Sequence, residues 1–219
     1  MNALLRNKAG RVICFSGIDG AGKSTQIHAL CAALQQAGKT VLLIRFWDDV
    51  AMMKNLREAA GHRIFKGDKG VGTPEAPIHR RDKNVQSLWM TGVRMLIYFC
   101  DAISLRAQVK KSLRSHFDVV ICDRYMYDEL VNLALRKSAI RAYALFIMKL
   151  TPKPDLSFLL DADPDLAYAR KPEYPLEFQR IHRRSYLAMA ELIGGFTIIN
   201  SMPVEAVQTE VLDYVRHVL

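Results

Sequence analysis

The stretch Gly17-Ile18-Asp19-Gly20-Ala21-Gly22-Lys23-Ser24-Thr25 constrains this chain more than any other. It fits G-x-x-x-x-G-K-S/T, follows the apolar run Val12-Ile13-Cys14-Phe15 and leads into a helical pattern. A chain passing from a buried strand into a helix through so tight a turn needs glycine's conformational freedom. The loop's N–H groups then point inward, and the positive end of the following helix adds to the same anion site. The pattern therefore predicts a nucleoside triphosphate held by Gly17, Asp19, Gly20, Ala21, Gly22, Lys23, Ser24 and Thr25. Lys23 would reach the β- and γ-phosphates, and the Ser24 hydroxyl would face Mg²⁺.

The rest of the chain supplies a frame for such a loop. Ile27, Leu30, Cys31 and Leu34 recur at helical spacing before Gly38, and a strand is expected from about Thr40 to Phe46. Strand, helix, strand in that order implies a parallel pair with a right-handed crossover. At the end of the second strand polarity returns as Arg45-Phe46-Trp47-Asp48-Asp49, where Asp48 reads either as a cap for a helix over Met52 to Ala60 or as a site carboxylate.

Regular periodicity fails from about Gly61 to Lys83, a basic loop ending His79-Arg80-Arg81-Asp82-Lys83. It reads as a clamp for an anionic substrate or as solvated surface. A long helix is expected from about Val85 to His116, its apolar face carrying Leu88, Trp89, Val93, Leu96, Ile97 and Ile103. The buried strand Phe117 to Cys122 then ends in Asp123-Arg124-Tyr125. An Asp at that place can support Mg²⁺ or its waters, and an Arg beside it can grip a phosphate; the alternative is a cap for a helix over Tyr127 to Leu150. A strand at Leu156 to Leu160, a short helix reaching Arg170, a helix from Leu176 to Leu192, a strand at Phe196 to Ile199 and a helix from Val204 to Val218 complete the pattern. The expected fold is α/β: five parallel strands flanked by helices in one domain spanning residues 1–219.

Composition narrows the function classes. With 50 % hydrophobic residues in 219, a full core is within reach, and no apolar run attains membrane length. Cys14, Cys31, Cys100 and Cys122 show no metal-ligand spacing and read as packed thiols. These features predict a cytoplasmic protein with no membrane partner. The net charge of +9 comes without any nucleic-acid motif, so a nucleic-acid partner is not expected; polyanionic small molecules account for the charge as well.

The segments Phe15 to Gln26, Arg45-Phe46, Asp123-Arg124-Tyr125, Tyr174 and Phe178 to Tyr186, and the end region from Ile199 through Val207 together resemble the thymidylate kinase family of nucleoside monophosphate kinases. The resemblance covers most of the chain outside about residues 50 to 85. It implies a P-loop NTPase fold with a mobile lid at about 170–175, ATP and Mg²⁺ as cofactors, and a small-molecule phosphate acceptor. Lys23, Arg124 and Arg170 would be catalytic, with Lys171 beside Arg170 on the lid. Ser24 and Asp123 would serve the metal, and Asn200 to Met202 would lie near adenine. Asp19, Arg45, Phe46, Phe99 and Arg124 would bind the acceptor. A homodimer is compatible with the resemblance.

Departures from the family pattern are specific. The family's helix Arg, four residues after a base-stacking Phe, falls on Ile103 if aligned through Phe99 and on Ala102 if aligned through Tyr98. Met126-Tyr127-Asp128 replaces the family's small residues and Gln, and the basic loop has no counterpart. Three readings stay open: a nucleoside monophosphate kinase, a kinase for another small phosphorylated or hydroxylated metabolite such as a sugar phosphate, and a nucleotide-dependent binding protein without transfer.

Overall fold

Strand β1 (Arg11–Ser16) lies at the centre of a parallel sheet because its side chains are apolar on both faces. The computed structural model describes residues 10–51 and 88–219. Val12 and Cys14 point into one hydrophobic cluster, Ile13 and Phe15 into the other. The chain continues through α1 (Lys23–Gln36) to β2 (Val41–Arg45), a wide π-helical turn (Phe46–Val50) and α2, described over Leu88–Arg114. It then forms β3 (Val119–Asp123), α3 (Met126–Leu130), α4 (Ser138–Leu150), β4 (Leu156–Asp161), α5 (Pro164–Arg170), α6 (Leu176–Ile193), β5 (Phe196–Asn200) and α7 (Val204–Val218). The strand order is β2-β3-β1-β4-β5, every pair parallel. Five parallel strands flanked by helices, with the phosphate loop leaving the central strand, constitute the expected P-loop α/β fold.

The two layers divide the helices. Helices α1 and α7 cover one face with Ile27, Leu30, Leu34, Val207, Val211 and Val215. Residues of α2, α3, α4 and α6 cover the other. In register, Arg45, Asp123 and Phe15 lie side by side at the carboxyl edge of the sheet, the edge where open α/β sheets place their ligands.

Three expectations about the helices are corrected. The single helix over Tyr127 to Leu150 is two helices, because the Asn132 side-chain amide donates to the carbonyls of Asp128 (3.0 Å) and Glu129 (3.2 Å) and so satisfies groups that another turn would use. The inward face of α2 carries Ile97, Tyr98, Ala102, Leu105 and Val109, while Leu96 and Ile103 are 66 % and 50 % exposed. Apolar residues lie around much of this helix, so hydrophobicity alone fixes its rotation poorly. Cys31, expected on the buried face of α1, is only half-buried. The helix expected over Met52 to Ala60 and the basic loop at about 61–83 lie outside the described residues.

Candidate active site

The phosphate loop begins where β1 ends and takes its shape from two tight backbone approaches. Gly17 has φ +142°, and a Cβ there would lie 2.6 Å from the Leu160 carbonyl oxygen. Gly20 has φ +83°, and a Cβ would lie 2.3 Å from the Ala167 carbonyl oxygen. Glycine is therefore required at both places, and the second approach seats α5 directly on the loop. Gly22 leads into α1, whose first turn carries neither a side-chain cap nor an acidic residue. Its N-terminal amides thus face the loop as an electropositive end.

Lys23 is buried and bends over its own loop, its Nζ donating to the carbonyls of Gly17 and Ile18 at 2.8 Å each. Burial, followed by the neighbouring Arg124 charge, pulls its pKa down from 10.5 to about 8, against the pull of Asp19, Asp128 and Asp123. Ser24 and Thr25 are exposed at the start of α1.

Arg124 follows the last residue of β3 in a left-handed backbone conformation, φ +68°. Its N–H donates to the Phe15 carbonyl at 3.0 Å, which ties the turn to the root of the phosphate loop. Its guanidinium pairs with Asp19 and stands 3.7 Å from Asp128. Burial opposes this charge, yet Asp19 and Asp128 outweigh it and hold the guanidinium's pKa above its ordinary value. From the far side Arg170, the last residue of α5, donates to the Gly20 carbonyl at 3.2 Å.

These groups share one cavity of about 430 Å³. Asp19 through Gln26 form its floor; Asp123, Arg124, Arg170 and Lys171 stand at its sides, and Asn200, Ser201 and Met202 lie at one end. Asp161 joins the wall, gripped by a bidentate Arg183 at 2.6 and 2.7 Å. The residue chemistry suits a bound polyphosphate: open helix amides, four cationic side chains, and a hydroxyl and a carboxylate beside them for a hydrated divalent ion.

The expected acceptor residues are less uniformly placed. Asp19 and Arg124 line the cavity, whereas Arg45, Phe46 and Phe99 do not. Arg45 is exposed, with its N–H donating to Asp49 Oδ2 at 2.7 Å. Phe46 is fully buried and meets Trp47 edge-on at 5.9 Å. Phe99 stacks on Phe146 of α4, with centroids 6.4 Å apart. The inward aromatic of α2 is Tyr98, and the inward residue four positions on is Ala102. The sequence assigns no site role to Tyr186 or Asp128, yet both bear on Arg124. Two adjacent acids, Asp128-Glu129, among the apolar Met126, Tyr127 and Leu130 are the available signal.

Fold and site together define an enzyme of the P-loop kinase superfamily, with a nucleotide cradle typical of it. No family model matches the chain. Curated relatives do. A probable thymidylate kinase of Pyrococcus abyssi is 28 % identical over 223 residues, covering 96 % of this chain and 98 % of the relative. A probable thymidylate kinase of Thermococcus kodakarensis is 29 % identical over 217 residues, 94 % and 98 % of the two chains. A thymidylate kinase of Bifidobacterium longum is 28 % identical over 166 residues, 74 % and 71 %. Matches of this extent support assigning the chain to the thymidylate kinase family as a divergent member.

Proposed function

We propose that the protein transfers the γ-phosphoryl group of ATP to a nucleoside monophosphate. The observation that carries this reading is the convergence of Lys23, Arg124 and Arg170, from three separate stretches of chain, on one cavity of about 430 Å³. Phosphoryl transfer asks a protein chiefly to align two anions and to spread the charge that moves between them.

In this reading the loop amides and Lys23 hold the donor phosphates, and Arg124 holds the acceptor phosphate. Asp19, at the same edge, accepts a hydrogen bond from the acceptor's sugar. Arg170 and Lys171, at the start of the lid at 170–175, add positive charge where the transferring group develops negative charge. Ser24 and Asp123 would hold Mg²⁺, which would neutralise part of the phosphate charge when bound. Asn200 to Met202 would border the base of ATP, and Phe46 would lie on the acceptor side. One domain spans the chain, with residues at about 61–83 as an insertion.

A screen of nucleoside monophosphates and sugar phosphates for acceptor-dependent ADP release tests this. Release stimulated at least tenfold by one nucleoside monophosphate is the expected outcome. Stimulation by a sugar phosphate alone, or by no acceptor, overturns the assignment.

A further inference from the structure

We propose that Asp128 is a positioning residue for Arg124, a role that rests on the phosphoryl-transfer reading above. The Asp128 side chain is 1 % exposed. Its Oδ2 accepts the Ser16 hydroxyl at 2.7 Å and the Tyr125 N–H at 2.9 Å, while Oδ1 accepts the Tyr186 hydroxyl at 2.7 Å. Arg124 Nη1 stands 3.7 Å from Oδ1. One carboxylate thus joins the end of β1, the first turn of α3 and the middle of α6. A carboxylate buried so deeply is tolerated only when donors and a positive charge surround it, and here they do.

The consequence falls on Arg124. A non-glycine residue at φ +68° is uncommon, and the turn has to be held in place. The peptide before Arg124 is tied through its own N–H to Phe15 O, and the peptide after it through Tyr125 N–H to Asp128. The guanidinium then lies between two carboxylates of unlike standing. Asp19 belongs to the phosphate loop, where an acceptor phosphate competes with it for Arg124. Asp128 is sealed in the core beneath, out of reach of such competition. It therefore keeps the guanidinium aimed at the cavity whether Arg124 binds Asp19 or a phosphate. Tyr186 completes the anchor: burial foremost raises its pKa well above the ordinary value, so the hydroxyl stays a donor.

The test is Asp128→Asn, which preserves size and removes charge. With the nucleoside monophosphate that the wild-type protein phosphorylates fastest, the acceptor kcat/KM should fall roughly ten- to a hundredfold while the KM for ATP stays within about twofold. In an Arg124→Ala background the same substitution should change the acceptor kcat/KM by less than about twofold. Equal losses for both substrates, or a full additive loss in the Arg124→Ala background, overturn the proposal. A readout without turnover separates this role from the kinase reading: the ¹⁵N NMR signal of the Arg124 guanidinium should report hindered rotation in the wild type and in Asp19→Asn, where Asp128 is the remaining carboxylate, and free rotation once Asp128→Asn is added to Asp19→Asn. Hindered rotation in that double variant overturns the proposal whatever the protein phosphorylates. If no monophosphate is turned over, the kinase reading fails and the NMR result alone decides. Should Asp128→Asn not fold, Tyr186→Phe removes a single hydroxyl and should show the same split at roughly three- to tenfold; a loss shared by ATP and acceptor overturns the proposal there too.

Discussion

Arg124 and Asp19, 105 residues apart in sequence, meet as an ion pair at the mouth of the phosphate loop. The pair joins the strand that supplies one phosphate-gripping residue to the loop that cradles the donor. Both side chains are mostly buried, so their attraction is less screened than on an open surface. An acceptor phosphate entering here exchanges one anionic partner of Arg124 for another.

Asp19→Asn should therefore separate affinity from turnover. Removing the competing carboxylate should strengthen binding of inorganic phosphate by roughly fivefold, about 1 kcal/mol. Phosphorylation of a nucleoside monophosphate should fall, because Asp19 would otherwise meet the acceptor sugar. Calorimetry with phosphate and steady-state kinetics check the two halves. Unchanged phosphate affinity would remove Arg124 as the phosphate-binding group.

Lys23 makes nucleotide binding sensitive to pH. Its folded pKa, about 8, lies below the ordinary 10.5, so the unfolded chain holds more protons between those values. The penalty on the charged form is fully present below pH 8 and is relieved as pH rises from 8 to 10.5. In that window the ligand-free protein should gain stability, up to ~3 kcal/mol. A bound polyphosphate restores the charged form, so ATP binding at pH 8.5 should take up on the order of 0.7 proton. Calorimetry in buffers of different ionisation enthalpy measures the uptake. Lys23→Met should abolish it, and an equal uptake in that variant would assign the proton elsewhere.

Much of this fold was legible because its strands are apolar without interruption and its outer helices keep a clean period. Strand β1 and helices α1 and α7 are of this kind. Helix α2 was not, since Leu96 and Ile103 are as apolar as the buried Leu105 yet face outward. The end of α3 escaped notice because it depends on one amide, that of Asn132, turning back onto its own helix. At the site, Lys23, Asp123 and Arg124 declare themselves by spacing. Asp128 does not, because its meaning comes from Ser16 and Tyr186, 112 and 58 residues away. Phe99 packs against Phe146 of α4, a contact between distant residues that the sequence does not display.

Arg170 should act on the rate rather than on ATP affinity. The phosphate loop carries no basic residue at Ile18, Asp19 or Ala21, so positive charge for the transferring group has to come from outside it. Arg170 ends α5, the helix seated on Gly20, and its guanidinium already reaches the Gly20 carbonyl. Arg170→Ala should lower kcat by roughly a hundredfold, with KM for ATP changing less than about threefold. A raised KM with unchanged kcat would make Arg170 a ground-state contact only.

Thymidylate itself should be a poor acceptor. The inward aromatic of α2 is Tyr98, which places Ala102 where thymidylate kinases usually carry an Arg on this helix. Ala102 is fully buried, and a methyl group there offers neither charge nor hydrogen bond to a phosphate or a base edge. Loss of a charged hydrogen-bonding partner forfeits about 1.5–3 kcal/mol, or roughly ten- to a hundredfold in selectivity. The kcat/KM for thymidylate should accordingly fall at least tenfold below that for the best monophosphate in a panel differing in base and sugar. A panel is needed because the missing Arg lowers one substrate without naming its replacement. If thymidylate proves the best acceptor, another residue supplies the missing contact, and the identity of residue 102 carries no information about specificity.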